Sequence, residues 1–475
     1  MNAVSYRSTR GGAPDVDFAT ALITGLAPDG GLYCPVDIPR LPSLDGATGY
    51  ADIARRVMWP YVEGSVDADD FAKIVDEAYR RFRHPEVCPV IELGSGHHLL
   101  DLTQGPTLAF KDVALQLVGR LLDHELARRD ERVVVVGATS GDTGSAAIEA
   151  LANLGRVTVV MLHPAGRVSD IQRRQMTTVD APNVHNLAVE GSFDDCQDLV
   201  KASFASDRIG GRHRLTAVNS INWARVMAQI VYYVTAARAV APDGAPVSFA
   251  VPTGNFGNIL SGWYAKRMGL AVDRLVVATN RNDVLYRYLT TGDLVAEDVV
   301  PTLSPSMDIQ ISSNFERMLW EASGRDSTAV VDLLTRFRTD GRVHVPDDWT
   351  AAIRAELVAA RLDDDGILGE VARTHDRIDR IVDPHTAVGL HAAQRFGPGG
   401  PEARPGEAPM ITLATADPAK FPDAVERAIG IRPALPPFLA ELPERRERYE
   451  TTGRDLDALA DWFDTTLAPD HGRAW

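Results

Sequence analysis

Lysine is scarce in this 475-residue chain. Of its 49 basic Lys and Arg side chains, only five are lysines: Lys73, Lys111, Lys201, Lys266 and Lys420. Arginine supplies a cation equally well, but its guanidinium stays protonated and cannot act as a nucleophile, whereas a desolvated lysine can lose its proton. The retained lysines are therefore candidates for chemistry that needs an amine.

Cysteines are also few, and long hydrophobic runs are missing. Cys34, Cys88 and Cys196 are odd in number, widely spaced and without a Cys-x-x-Cys pair, which argues against a disulfide framework or a cysteine zinc site. A reducing compartment fits this pattern best. No apolar run approaches the about 20 residues that span a bilayer, and no basic stretch with an apolar core opens the sequence. We expect a cytoplasmic protein.

The chain lacks an excess of positive charge. Its formal net charge of −16 argues against a nucleic-acid or anionic-membrane partner, because either needs a basic face. Adjacent His97 and His98, and His385, show no metal-ligand spacing, so no catalytic metal is expected. The expected partner is a small molecule, bound by a monomer or homodimer.

Short apolar runs alternate with helical patterns in two regions. Strands are predicted at residues 133–136, 157–162 and 184–189, and again at residues 247–251, 275–278 and 410–415. This pattern predicts an α/β fold with two mainly parallel sheets covered by helices, preceded by an N-terminal region. The expected domains are an N-terminal region of residues 1–97, a large domain of residues 98–130 and 241–475, and a small domain of residues 131–240.

Lys111 has the most unusual surroundings of the five lysines. Residues 105–112 read Gly-Pro-Thr-Leu-Ala-Phe-Lys-Asp, so the lysine follows an apolar run and opens a helix-like stretch. The first hypothesis is a Schiff base between this amine and a carbonyl cofactor. The alternative is a lysine with no special role, its stem lying along apolar surface.

Two glycine-containing loops each follow a predicted strand and precede a predicted helix. Residues 254–258 read Gly-Asn-Phe-Gly-Asn, a pattern that can hold a phosphate on the amides of a helix start, although a plain turn is equally compatible. Residues 137–145 read Gly-Ala-Thr-Ser-Gly-Asp-Thr-Gly-Ser. Their density of short polar groups indicates either a ligand-binding loop or a well-capped helix start.

Taken together, the lysine segment and the two loops resemble the longer-chain branch of the threonine synthases. The likeness extends to residues 25–33, 219–225, 307–317 and 383–387, and so covers almost the whole chain. The resemblance implies a fold-type II, tryptophan synthase β-like enzyme of pyridoxal 5′-phosphate (PLP), with the cofactor in the large domain. It also implies conversion of O-phospho-L-homoserine and water to L-threonine and phosphate.

The resemblance assigns roles to individual residues. Lys111 is expected to hold PLP as a Schiff base, to take the Cα and Cβ protons, and to be the catalytic residue. The cofactor-binding set is Lys111, Asp142, Gly254, Asn255, Phe256, Gly257, Asn258 and Thr415. The expected substrate-binding set is Thr139, Ser140, Thr143, Ser220, Asn222 and Arg225.

Two acidic residues complicate this assignment. Asp142 occupies the position where related folds place an asparagine near the cofactor's phenolic oxygen, so it must be protonated, share a proton or point elsewhere. Asp417 replaces the histidine that long-branch members carry in Ala-His-Pro-Ala-Lys-Phe. It is expected either to shift the pH optimum or to be harmless, by facing solvent or pairing with Lys420.

Two other functions remain open at this point. One is a phospho-lyase that converts the same substrate to 2-oxobutyrate, phosphate and ammonia, because motifs around the cofactor do not show how water is held against Cβ. The other is a PLP-binding or phosphoamino-acid-binding regulator without turnover. Retention of Lys111 and Arg225 argues against the regulator.

Overall fold

The computed structural model describes residues 3–139, 141–217, 220–404 and 406–467. Within these residues the chain forms two compact units. The large unit comprises Met1–Ala114 and Ser220–Ala434, and the small unit comprises Leu115–Asn219 and Leu435–Trp475. Residues 220–240 thus fall in the large unit and residues 435–467 in the small one, whereas the sequence placed both segments the other way round.

Strands and helices alternate through most of the chain. The strands are β1 Tyr6–Ser8, β2 Tyr33–Pro35, β3 Val90–Gly94, β4 His97–Asp101, β5 Val133–Ala138, β6 Val157–Pro164, β7 Val184–Val189, β8 Leu215–Thr216, β9 Val247–Pro252, β10 Val272–Thr279, β11 Asp293–Val295, β12 Arg342–His344, β13 Leu357–Arg361, β14 Met410–Ala414 and β15 Glu450–Thr452. Each strand predicted from an apolar run is present, with ends displaced by three residues at most.

The helices surround these strands. They are α1 Phe18–Thr24, α2 Gly49–Val62, α3 Ala68–Tyr79, α4 Lys111–Arg129, α5 Asp142–Leu151, α6 Asp170–Thr177, α7 Phe193–Ala205, α8 Trp223–Val240, α9 Gly257–Met268, α10 Val284–Thr291, α11 Phe315–Ala322, α12 Ser327–Asp340, α13 Asp347–Glu356, α14 Asp364–Ile378, α15 Pro384–Phe396, α16 Pro422–Ile429 and α17 Leu456–Thr466. Short 3₁₀ turns are formed by Pro305–Met307, Pro418–Lys420, Pro437–Leu439 and Leu442–Glu444.

The large unit contains a six-stranded sheet in the order β13-β10-β9-β14-β4-β3. All neighbouring strands are parallel except β3 and β4, which are antiparallel. The late strand β14, which the sequence grouped with β9 and β10, lies between β9 and β4. Carboxyl ends of parallel strands share one edge of a sheet, so the segments that follow β9, β14 and β4 are neighbours.

Helix α15 provides much of the core on one face of this sheet. Its Ala387 and Leu390 pack in one buried cluster with Ala250, Val276 and Met410 from three strands. The helix begins sharply because the Asp383 carboxylate caps it and proline stands at its first position. Packing of this face fixes the start of α15 at the sheet edge where β14 ends.

The small unit contains a five-stranded parallel sheet in the order β15-β7-β6-β5-β8. Its core combines strand residues such as Val160 and Leu187 with Leu459 and Phe463 from α17. The sequence indicated a charged, helical region after residue 436, and this prediction is only partly right. Strand β15 adds to the sheet edge beside β7, and α17 contributes its apolar face to the core.

Candidate active site

Lys111 is the first residue of α4 and is 8% exposed. The turn before it is held by Asp112, whose carboxylate accepts hydrogen bonds from the Thr107 backbone N–H (2.8 Å) and the Thr107 hydroxyl (2.7 Å). Leu108 in this turn has a left-handed backbone, with φ of +64°. The Lys111 Nζ atom lies 3.5 Å from the Ser306 hydroxyl oxygen. The lysine amine is thus buried beside a hydroxyl group.

The lysine segment is attached to the end of β14 by its backbone. The Phe110 N–H donates to the Thr415 carbonyl oxygen (2.9 Å), and the Asp417 N–H donates to the Leu108 carbonyl oxygen (3.0 Å). Thr415 is 6% exposed, and its own N–H donates to the Thr386 hydroxyl (3.3 Å). Lys111 and Thr415, assigned to one site from the sequence, are therefore close in the large unit.

The loop of residues 254–258 joins β9 to α9 at the same sheet edge. Neither Gly254 nor Gly257 has a positive φ; the left-handed residue is Phe256, with φ of +64°. The glycines instead permit close approach, because a Cβ on Gly254 would lie 3.1 Å from the Ser306 carbonyl oxygen and 3.2 Å from the Met307 Cα. The predicted loop between a strand and a helix is present, and its left-handed residue is Phe256 rather than a glycine.

Helix α9 directs its first amides toward this loop. Its first hydrogen bond runs from the Leu260 N–H to the Phe256 carbonyl oxygen (3.0 Å), so the N–H groups of residues 257–259 precede the ladder. Such amides, together with the helix dipole, favour an anion at the helix start. Asn255 contributes its carbonyl oxygen to the Asn314 N–H (3.2 Å), which fixes the loop from outside.

The side-chain amide of Asn258 is hydrogen-bonded through its oxygen but not, within the described residues, through its nitrogen. Its Oδ1 accepts hydrogen bonds from the hydroxyls of Tyr232 (2.6 Å) and Tyr233 (2.9 Å), both buried in α8. Its Nδ2 is buried and has no hydrogen-bond partner among the described residues. A buried amide donor without an acceptor costs about 1–3 kcal/mol, so an acceptor supplied by a ligand would stabilise it.

The segment that precedes α8 carries two of the predicted substrate-binding residues, Ser220 and Asn222, which make different hydrogen bonds. Asn222 caps the helix: its Oδ1 accepts the Ala224 N–H (3.0 Å) and its Nδ2 donates to the Leu22 carbonyl oxygen (2.8 Å). The Ser220 carbonyl oxygen accepts from Asn314 Nδ2 (3.0 Å). Asn219, which belongs to the same motif, lies outside the described residues.

Arg225 is a buried cation. It is 4% exposed, and its Nε and Nη1 atoms have no hydrogen-bond partner among the residues that the structure describes. Burial lowers the pKa of Arg225 to about 10, so the guanidinium remains charged at neutral pH. A buried charge without a counter-ion is strongly destabilising unless an anion binds there.

The small unit presents its polar loop at the carboxyl end of β5. Thr139 Oγ1 accepts the N–H groups of Gly141 (3.0 Å) and Gly144 (2.9 Å), so this side chain caps the start of α5. Asp142 is 4% exposed, and its Oδ1 accepts a hydrogen bond from Gln172 Nε2 (2.8 Å). Thr143 lies in the first turn of α5 and is partly exposed, and Ser140 lies outside the described residues.

Three residues near predicted site residues were not assigned a role from the sequence. Gln172 on α6 holds Asp142 in the small unit. Ser306 lies beside Lys111, and the ring of His385 joins Ser306 to Asp383 in the large unit. The sequence offered a partial signal for the histidine, since the Asp-Pro-His-Thr motif was noticed, but none for the other two.

Asp417 begins the 3₁₀ turn Pro418–Lys420 and caps it through the Ala419 N–H (2.9 Å). Burial raises the pKa of Asp417, and the nearby Asp101 and Asp383 raise it further, while Arg83 opposes them. Lys420 Nζ donates to the Thr107 carbonyl oxygen (2.8 Å) in the lysine turn. The carboxylate therefore does not simply face solvent.

The described part of the chain meets the requirements of neither a membrane-spanning helix nor a metal site. No helix in it combines the length and apolar character needed to cross a bilayer. Its His, Cys, Asp and Glu side chains form no group of three or more that could hold a metal ion.

Comparisons with known proteins define the class to which this site belongs. Residues 92–335 match the family described as pyridoxal-phosphate dependent enzyme. The fold also matches the PLP-bound threonine synthase of Brucella melitensis, with a TM-score of 0.92 and 45% identity over 98% of this chain and 99% of that one. The protein is thus a PLP-dependent enzyme of fold type II, and the buried Lys111 amine, the close approach at Gly254 and the unpartnered Asn258 Nδ2 fit such a cofactor.

The flanking segments and the relatives identify the family more narrowly. Residues 5–79 match the threonine synthase N terminus, and residues 386–462 match the threonine synthase C-terminal family. The threonine synthase of Pseudomonas aeruginosa is 50% identical over 457 residues, which cover 95% of this chain and 96% of that protein. The Schizosaccharomyces pombe threonine synthase is 45% identical over 463 residues, 90% of each chain. The chain belongs to the threonine synthase family.

Proposed function

We propose that this chain converts O-phospho-L-homoserine and water into L-threonine and phosphate, with Lys111 as the residue that moves protons. The observation that carries this proposal is the arrangement at one edge of the large sheet. There β4, β14 and β9 are adjacent, and the segments that follow them bring Lys111, Thr415 and the loop of residues 254–258 together. A nucleophilic amine, a hydroxyl and an anion-binding helix start are the groups that PLP chemistry requires.

We propose that the cofactor phosphate binds the loop of Gly254, Asn255, Phe256, Gly257 and Asn258. The amides at the start of α9 and the Asn258 Nδ2 donor favour an anion there. Thr415 would face the ring nitrogen, where a hydroxyl does not enforce a protonated ring. Bound PLP supplies an electron sink that acidifies the carbon atoms of an amino acid attached to it.

We propose that Arg225 receives the phosphate of the substrate. A doubly charged phosphate pairs well with a guanidinium because the planar fork offers parallel donors. Its Nε and Nη1 atoms are buried and have no hydrogen-bond partner within the described ranges, which supports this role. Ser220 and Asn222 from the same segment, and Thr139, Ser140 and Thr143 from the small unit, are proposed to complete the substrate site. Asn222 would use its remaining N–H, since the other groups of its amide are already bonded.

The small-unit residue Asp142 is proposed to lie near the cofactor. Its bond from Gln172 Nε2 supplies a neutral donor to one carboxylate oxygen. This bond orients the carboxyl group. The proposal would be contradicted by an Asp142→Asn variant whose cofactor absorption and turnover keep the wild-type pH dependence.

The chain's own residues perform the proton transfers in this proposal. The Lys111 amine would remove the Cα proton, deliver it to the bound cofactor and, neutral again, remove the Cβ proton of the substrate. The C–O bond at Cγ breaks, and phosphate leaves with that electron pair toward Arg225. A proton returns to Cγ, water adds at Cβ, and Cα is reprotonated from Lys111.

The decisive experiment is incubation of the PLP-loaded protein with O-phospho-L-homoserine, followed by identification of the organic product and of released phosphate. Threonine and phosphate in equal amounts are expected. 2-Oxobutyrate with ammonia would assign the phospho-lyase reaction instead, and cofactor binding without phosphate release would favour the regulator.

We further propose that the protein acts in the cytoplasm, without a nucleic-acid partner, as a monomer or homodimer. The net charge of −16 and the three buried free cysteines support a reducing compartment and a small-molecule partner. Light scattering coupled to size-exclusion chromatography tests the oligomeric state, and a mass of three or more subunits would contradict it.

A further inference from the structure

Ser306 contacts three parts of the proposed site with three different atoms. Its hydroxyl oxygen accepts from Lys111 Nζ at 3.5 Å, the long end of the hydrogen-bond range. Its backbone N–H donates to His385 Nε2 (3.2 Å). Its carbonyl oxygen would lie 3.1 Å from a Cβ atom added to Gly254. The residue therefore lies between the lysine and the proposed phosphate loop.

His385 is fixed in one tautomer by its two partners. Nε2 accepts the Ser306 N–H and so carries no proton, and Nδ1 donates to Asp383 Oδ2 (2.7 Å). His385 is 2% exposed and Asp383 is fully buried. The ring also packs against Phe421, with 4.8 Å between centroids. Rotation of the ring would break both hydrogen bonds, so the histidine holds the Ser306 backbone in place.

A second buried network holds the same turn from its other side. The Asn280 amide, just after β10, donates to Ser304 Oγ (3.0 Å) and to Asp308 Oδ1 (2.8 Å). Asp308 Oδ2 in turn accepts the Thr302 N–H (3.0 Å). Residues on both sides of Ser306 are thus anchored.

Asp383 connects this turn to Thr415 as well. Its Oδ1 accepts the Thr386 N–H (3.0 Å) and the Thr386 hydroxyl, and that hydroxyl accepts the Thr415 N–H (3.3 Å). One buried carboxylate thereby sets the positions of His385 and Thr386, and through them of Ser306 and Thr415.

We propose that the Ser306 hydroxyl receives and orients the Lys111 amine whenever that amine is free, and that His385 and Asp383 are positioning residues that keep Ser306 at this distance. This inference rests on the proposed role of Lys111 as the proton-transferring base. When the amine takes a proton from the substrate carbon, one ammonium N–H is donated to Ser306 Oγ. A lysine stem has four carbon atoms and many rotamers, so such a partner limits the directions in which the amine can act.

A purely structural role for His385 predicts a different result. If the histidine only stabilised the fold, its substitutions would lower stability without changing the kinetics of the folded enzyme. Two substitutions separate its two hydrogen bonds. His385→Gln places an amide oxygen near the position of Nε2, where it can accept the Ser306 N–H. His385→Asn is shorter, so its amide reaches toward Asp383 but not toward Ser306.

The experiment compares Ser306→Ala, His385→Gln and His385→Asn in the PLP-loaded enzyme. Ser306→Ala and His385→Asn are expected to lower kcat about 10–100-fold with KM changed less than about threefold, since misplaced catalytic groups cost rates of this order. They are also expected to displace the pH midpoint of the cofactor's visible absorption change. His385→Gln should retain kcat within about fivefold.

Two outcomes would overturn the proposal. One is Ser306→Ala with wild-type kcat and absorption midpoint, a measurement that survives even if the histidine variants fail to fold. The other is equal loss in the two folded His385 variants. Borohydride reduction of the wild-type holoenzyme and mass spectrometry of its peptides separate this failure from that of the proposed function. Cofactor found on Lys111 keeps the proposed function, whereas cofactor found on another lysine would overturn both.

Discussion

Phe110 and Thr415 are joined by a backbone hydrogen bond, in which the Phe110 N–H donates to the Thr415 carbonyl oxygen at 2.9 Å. The residue before the lysine is thus fixed to the residue after β14. Because both bonded groups belong to the backbone, the connection does not depend on side-chain rotamers. The positions of Lys111 and Thr415 are therefore coupled, and a change in one segment is expected to affect the other.

Replacement of Lys111 by arginine keeps a positive charge but removes the nucleophilic amine. We expect turnover of O-phospho-L-homoserine to fall at least about 10³-fold, and the visible absorption of a lysine-bound cofactor to disappear. Spectra and product assays measure both. Lys201→Arg is the control, because Lys201 is 72% exposed and pairs with surface Asp198. Undiminished turnover in Lys111→Arg would remove this amine from the proposed mechanism.

Arg225→Met is expected to stabilise the protein while abolishing its response to phosphate. A buried cation without a described partner opposes folding, so an apolar side chain of similar length should raise the free energy of unfolding, on the order of 1–4 kcal/mol. In the PLP-loaded proteins, where the cofactor phosphate occupies the loop of residues 254–258, inorganic phosphate should raise the unfolding temperature of the wild type but not of the variant. Denaturant titrations with and without phosphate test both points.

A second buried arginine offers a matched control for that experiment. Arg274 is as buried as Arg225, at 4% exposure, but pairs with Glu407 at 3.3 Å. Arg274→Met leaves that carboxylate without its partner and should destabilise the protein, by about 3–5 kcal/mol. If both variants change stability in the same direction, the unpaired state of Arg225 is not the cause.

The phosphate response should also depend on pH in a defined direction. Burial lowers the pKa of Arg225 to about 10, so its cationic form is disfavoured by folding. The cost of burying the charge is fully present below that pH and is relieved as pH rises through it. Phosphate-induced stabilisation should accordingly decline above a pH of about 10.

The sequence predicted the elements whose signals are local. Apolar runs such as residues 133–136 and 184–189 specify buried parallel strands by composition alone, and Lys111 was recognised because its neighbours are apolar. Strand β15, which reads Glu-Thr-Thr, could not be predicted, because three polar residues form a strand only through pairing with β7. Its place in the sheet is a tertiary effect.

The same distinction applies within the site. From their glycines, residues 254–258 were interpreted as either a phosphate-binding loop or a plain turn. The left-handed Phe256 was not expected, because its conformation is supported by contacts distant in sequence. Its ring packs edge-on against Phe315, with 5.2 Å between centroids. Ser306 and Gln172 have ordinary local sequences, and only folding places them beside Lys111 and Asp142. Side-chain partners of this kind carry no periodic or compositional signal.

Asp417→Asn is expected to stabilise the protein at neutral pH. Burial raises the pKa of Asp417, and Asp101 and Asp383 raise it further, so folding disfavours the ionised form. The penalty is absent at pH below the unfolded pKa, appears as pH rises through the raised folded pKa, and is full above it. Asparagine still accepts the Ala419 N–H as a cap.

Calorimetry tests the Asp417→Asn variant. Its unfolding temperature is expected to rise by roughly 1–3 °C near pH 7, and this increase should vanish in acid. A gain that is the same at both pH values would contradict the electrostatic cause.

Gly254→Ala tests whether the proposed phosphate loop needs its glycine for close approach. The added Cβ would lie 3.1 Å from the Ser306 carbonyl oxygen and 3.2 Å from the Met307 Cα, both backbone atoms that cannot move alone. We expect the loop and the turn at Ser306 to separate by a few tenths of an ångström, and PLP affinity to fall about tenfold, a loss of about 1.4 kcal/mol. Equilibrium dialysis of the apoprotein against PLP measures this.

Gly369→Ala is the control. It lies at an exposed position in α14, with no atom within 4 Å of the new Cβ, and should raise stability by about 0.5–1 kcal/mol without changing PLP affinity. Wild-type affinity in Gly254→Ala would show that the loop tolerates a side chain, and the contact between this loop and Ser306 would then not determine how the cofactor binds.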